Sequence, residues 1–181
     1  AGYTETSPRQ IKWSDSGDGN NWTSGDAGNL TLYQDNWPIY RMIPLGESLV
    51  VYRPWNIHIL FYVGPPFIFA QRQIIPDRGL MAPRAVANLG NRHVLWGRDG
   101  IFYFDGTTLT PIGFESFDAM MEDVDPQYLT SCLVWVDLKG REIYFWYPKS
   151  GDAGVCKQGW VFNYWQNTWR QGAFTATAAG P

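Results

Sequence analysis

The segment LGESLVVYRPWNIHILFYVG (residues 45–64) aligns without a gap over LGNRHVLWGRDGIFYFDGTT (89–108), an offset of 44 residues. Self-similarity at a fixed spacing of this size marks a chain built from repeated supersecondary units, so it narrows the fold more than any other feature. Leu45-Gly46 lies over Leu89-Gly90, Val50-Val51-Tyr52 over Val94-Leu95-Trp96, and residues 57–60 over 101–104. Between them, Arg53-Pro54-Trp55-Asn56 lies over Gly97-Arg98-Asp99-Gly100. Each unit therefore reads as strand, four-residue turn, strand. A third copy, CLVWVDLKGREIYFWYP (132–148), repeats the plan with strands at 132–136 and 142–147 and a turn around Leu138-Lys139-Gly140.

Another strand-like run follows each hairpin: PPFIFAQRQII (65–75), TTLTPIGF (107–114) and GWVFNYWQNTWRQG (159–172). The stretch RQIKWSDSGDGNNWTSG (9–25) has a related plan of strand, polar turn and isolated Trp, with Trp22 matching Trp169. The chain thus predicts blade-like repeats at about 42–75, 85–114 and 131–172, with 9–25 as a flanking strand pair. A period of roughly 40–45 residues with about three or four short antiparallel strands per unit is that of propeller blades. VVY, VLW, IFYF and VFNYW are apolar at successive positions, as strands packed on both faces are. The expectation is an all-β, β-propeller-like array over residues 1–181, as one domain or a piece of a larger propeller, with a β-sandwich as the alternative. One short helix is expected over ESFDAMMEDV (115–124), with Phe117, Met120 and Met121 at helical spacing and Pro126 ending it.

Composition excludes several function classes. Charged residues are only 17% of the chain and the net charge is −3, so the scattered Lys and Arg make no case for general nucleic-acid binding. Two cysteines, Cys132 and Cys156, make no disulfide scaffold. No apolar run approaches 18 residues, so no membrane span is expected. The polar start AGYTETSPRQ is no signal peptide, and its abruptness reads as a fragment or trimmed chain.

The candidate chemistry is thin. DSGDGNNW (15–22) offers Asp15, Asp18 and Asn20 as oxygen ligands for Ca²⁺, but departs from calcium-loop spacing and reads as a turn. Glu115, Asp118, Glu122, Asp123 and Asp125 read as the wet face of the short helix rather than two carboxylates across a cleft. His58 and His93 fall at non-equivalent strand positions and form no zinc pattern. No nucleophile elbow or phosphate-binding loop is present in the sequence, so no catalytic residue, cofactor or metal is expected. The two Asp-Gly pairs of GRDGIFYFDG, Asp99-Gly100 and Asp105-Gly106, read as turn punctuation. Most of the ten Trp fall at strand positions of the core; Trp37 and Trp55 are the candidate interface or ligand anchors.

Taken in order, RQIKWSDSGDGNNWTSGDAGNL, PLGESLVVYRPWNIHILFYVGPPFIF, GLMAPRAVANLGNRHVLWGRDGIFYFDG, REIYFWYPKSG and VFNYWQNTWRQG resemble segments of propeller-containing tail structural proteins of short-tailed bacteriophages. The resemblance is to the tail-nozzle or tail-hub type and covers residues 9–172. It implies a non-enzymatic virion protein that assembles through blade edges and loops. Its implied partners are other tail proteins and copies of itself, with transient contact with exiting DNA. The alternative from the residues alone is a carbohydrate-binding, receptor-recognising propeller module that uses exposed Trp, and a glycoside hydrolase fragment is a third.

Overall fold

A computed structural model of the chain describes residues 2–4 and 7–176. The described residues are mostly strand, in four small antiparallel sheets that follow one another along the chain. The first contains β1 (Gly2–Thr4), β2 (Ser7–Trp13) and β3 (Gly28–Thr31). The second contains β4 (Arg41–Leu45), β5 (Ser48–Tyr52), β6 (Ile57–Gly64) and β7 (Ile68–Ile75). The third contains β8 (Val86–Asn88), β9 (His93–Trp96), β10 (Ile101–Phe104) and β11 (Leu109–Ile112). Helix α1 (Phe114–Asp123) and a 3-10 segment (Pro126–Ser131) lead to the fourth sheet. That sheet contains β12 (Leu133–Asp137), β13 (Glu142–Tyr147), β14 (Cys156–Asn163) and β15 (Thr168–Ala176).

Each sheet is a meander, and the 44-residue offset governs strand pairing as well as sequence. Tyr52 pairs with Ile57 as Trp96 pairs with Ile101. The equivalence extends one strand beyond the aligned segments, since Val51 pairs with Met42 as Leu95 pairs with Val86. It fails at the last hairpin, where β6 has eight residues against four in β10 and two register irregularities interrupt its pairing with β7.

Alternate residues of one strand enter different cores. Val51 joins Ile11, Leu32, Ile39 and Leu60 between the first and second sheets. Its neighbours Val50 and Tyr52 join Ile57, Val86, Leu95, Phe102 and Phe104 between the second and third. Val94 and Trp96, flanking Leu95, join Phe117 and Met120 of α1 with Val134, Ile143, Phe145 and Phe162 of the fourth sheet. Side chains alternate across a strand, so β5 and β9 are each buried on both faces. That is why these strands carry no polar alternation. Four consecutive sheets are not the two layers of the sandwich alternative. No strand pairing joins the first sheet to the fourth among the described residues.

The sequence expectations need three corrections. The hairpin of the third repeat, 133–147, is strands one and two of its sheet, whereas 48–64 is strands two and three. A strand-turn-strand pattern is common to every hairpin of a meander. Its place is fixed by long-range pairing: Leu133 bridges Arg84 in parallel, and the Val134 N–H donates to the Arg84 carbonyl at 2.9 Å. The flanking pair expected within 9–25 is also displaced, because β2 pairs with β3 beyond that segment, with Trp13 opposite Gly28. Residues 14–27 form a polar loop instead, and Trp22 there is exposed while Trp169 stacks on Phe162 at 4.5 Å. Finally, α1 forms as expected, but Asp125 leaves its wet face. Asp125 is buried and accepts from the Gln127 N–H at 3.0 Å to cap the 3-10 segment.

Candidate functional site

Trp37 and Trp55 lie on separate connections, one between the first two sheets and one at the β5–β6 tip. The fold brings them together, with ring centroids 6.3 Å apart at 53°. Trp37 is 46% exposed and Trp55 41%.

A polar network, buried at Arg53, Asn56 and His58, holds the main chain at Trp37. The Trp37 backbone N–H donates to Asp35 Oδ1 at 2.9 Å. Arg53 Nε donates to the Trp37 carbonyl at 3.0 Å, Nη2 donates to the same oxygen, and Nη2 also forms an ion pair with Asp35. Asn56 Nδ2 donates to Asp35 Oδ2 at 2.5 Å, and its Oδ1 lies 3.0 Å from His58 Nε2. His58 Nδ1 lies 2.8 Å from Gln71 Oε1. Burial lowers the His58 pKa, so the ring is neutral at pH 7. A neutral ring with its proton on Nε2 needs a donor at Nδ1, and the Gln71 amide supplies one when its NH₂ is turned to the ring. Burial likewise lowers the Arg53 pKa, and Asp35 opposes that shift.

Backbone packing completes the frame. The Leu80 N–H donates to the Arg53 carbonyl at 2.9 Å. A Cβ on Gly79 would lie 2.0 Å from that carbonyl oxygen, so only glycine permits the approach. At the equivalent tip of the third sheet, the Arg98 guanidinium lies 5.0 Å from the Trp55 ring. Beside it, Arg78 and Asp99 pair at 2.7 Å. Among the described residues Arg9 and Arg98 form no ion pair; Arg9 donates to Asn36 Oδ1 at 2.8 Å.

Several of the other candidates make local or inter-sheet contacts. Asp15 Oδ1 accepts from the N–H groups of Ser16 and Asp26 at 2.9 and 2.6 Å, so its carboxylate organises the 14–27 loop. Asp105 accepts from both Thr107 and Thr108, which holds its carboxyl well below the usual range. Asp123 pairs with Lys149 at 2.7 Å and accepts from the Tyr147 hydroxyl at 3.3 Å. His93 Nε2 donates to the Pro44 carbonyl at 3.1 Å, and Nδ1 lies 2.8 Å from the Tyr52 hydroxyl, so this histidine links the second and third sheets. Cys132 and Cys156 are buried and unbridged. Among the described residues no group of three His, Cys, Asp or Glu side chains is placed to hold a metal, and no helix is long and apolar enough to cross a membrane.

A cleft of about 590 Å³ runs along β4, β8 and β12, the first strands of the three four-stranded sheets. It is lined by 41–44, 86–88 and 134–136, where Arg41 is the only charged residue.

Sequence reasoning singled out Trp37 and Trp55 as candidates but not Asp35, Arg53, Asn56 and Arg98, which the fold places around them. The one available signal was Arg53 itself, a cation ending the run SLVVY and preceding Pro54. It also missed Trp165 at the β14–β15 tip, which lies under the Arg141 guanidinium at 4.2 Å.

No family model matches the chain, and no curated protein matches it.

Proposed function

We propose that this chain is a β-propeller-type structural module of a bacteriophage tail, of the nozzle or hub type, acting by shape and packing rather than catalysis. The observation that carries the reading is the shared cleft: three repeated meanders present their first strands to it, as propeller blades present theirs to the axis. The parallel bridge between Arg84 and Leu133 supports the same arrangement. Rigidity would come from sheets buried on both faces, and contacts with other tail proteins and further copies from the loops and edges. DNA leaving the particle would make only transient contact, in keeping with a net charge of −3. The test is electron microscopy of particles labelled with an antibody to this chain. Label on the tail, with a ring in averaged images, is the expected result, and a chain found only off the particle overturns the reading.

A second reading, a carbohydrate-binding propeller, is favoured by the Trp37–Trp55 pair, because exposed indoles at fixed spacing suit the flat faces of sugars. A glycan array decides it: saturable binding lost in Trp55→Ala supports it, and absence of binding removes it.

A further inference from the structure

We infer that the chain self-associates head to tail, with the Trp37–Trp55–Arg98 surface of one copy receiving helix α1 of another. The inference deepens the assembly reading and rests on it.

The receiving surface has the composition of a binding hot spot, which favours Trp and Arg. Two indoles stand partly in water 6.3 Å apart, beside the Asp35–Arg53 ion pair that holds the Trp37 main chain. Its charges are unbalanced. Arg53 and Arg78 are matched by Asp35 and Asp99, whereas Arg9 and Arg98 are in no ion pair among the described residues.

Helix α1 is the complement. Its ten residues, FESFDAMMED, include four acids and no base. Glu115, Asp118 and Glu122 are exposed and in no ion pair among the described residues; only Asp123 is matched, by Lys149. The arrangement disfavours the isolated helix twice. Asp118 and Glu122 are like charges four residues apart, and Glu122 sits near the negative end of the helix dipole. Phe114, at the start of the helix, is 71% exposed, an apolar anchor among the acids. Cations from a neighbouring copy would relieve the repulsion, and indoles would cover the phenyl ring. The two surfaces differ, so the contact is heterologous and propagates into a ring or filament rather than closing as a two-fold dimer.

The test is mass photometry and sedimentation velocity on the purified chain, with circular dichroism confirming the fold of each variant. Oligomers that weaken with added salt are expected. Arg98→Glu and Asp118→Arg should each weaken association by about tenfold or more, and combining them should restore it to within about threefold, since oppositely charged partners couple. Trp55→Ala should weaken it without altering the fold. Oligomers indifferent to both charge reversals, or not restored by the double change, overturn this contact and leave the assembly reading standing. A chain monomeric at every concentration overturns the contact too, while tail labelling separately decides the assembly reading. Glycan binding by a monomer, lost in Trp55→Ala, assigns the surface to sugars instead.

Discussion

Arg53 shows what a single buried charge demands. Its side chain is fully buried, while that of Asp35 is 26% exposed. Removing a guanidinium leaves a carboxylate that still reaches water, but removing the carboxylate strands a cation in the core. Asp35→Asn should therefore destabilise the chain more than Arg53→Met, by up to about 3–5 kcal/mol, as expected for an uncompensated buried charge. Chemical denaturation of the two variants checks the order. The buried histidines set a pH dependence. Burial lowers the pKa of both His58 and His93 below the ordinary 6.5. Above about pH 6.5 both folded and unfolded histidines are neutral and their contribution is fully present. As pH falls below that, the unfolded chain takes up protons first, so stability declines toward the folded pKa values. Denaturant midpoints at pH 7.5 and pH 5 should show the loss, and His93→Gln should reduce it.

Among the elements, α1 depends most on one residue. Gly113 begins it at φ 62, in the left-handed region, and makes no side-chain cap. A Cβ there would lie 2.1 Å from Trp169 Cζ2, so Gly113→Ala meets both backbone strain and a ring clash. A loss of about 2 kcal/mol or more is expected, read as a lower thermal midpoint and altered Trp fluorescence. The helix was visible in the sequence because Phe117 and Met120 lie at helical spacing above a buried face. The pairing of Asp123 was not, because its partners Lys149 and Tyr147 come from beyond β12. The β10–β11 turn was legible for the opposite reason. Asp105 draws all the hydrogen-bond donors described for it from the next three residues, so Asp-Gly-Thr-Thr specifies its own geometry.

Across the whole molecule, burial is greatest in the middle of the series. Trp96 is fully buried and packs edge-to-face on Phe145 and Tyr147 of the next sheet, at 5.8 and 6.0 Å. Trp96→Ala should cost about 3–5 kcal/mol and loosen the third and fourth sheets together. Hydrogen exchange should be slowest in β5, β9 and β10, which lie between packed faces, and faster in β1 and β2. Uniform protection across the four sheets would contradict the layered core.

The sequence by itself determined the period, the all-β class, the turns and the helix, because spacing, apolar runs and Asp-Gly chemistry act over a few residues. It also marked Trp37 and Trp55 as unlike the strand tryptophans. Only the tertiary structure decided which hairpin of its sheet 133–147 forms and which strand β2 pairs with, since a meander's local pattern is the same at each turn. Only it could join Asp35, the Arg53–Trp55 turn and Arg98, which come from three separate stretches of the chain. A buried ion pair and a ring contact are set by the stacking of sheets, and no local residue pattern encodes that stacking.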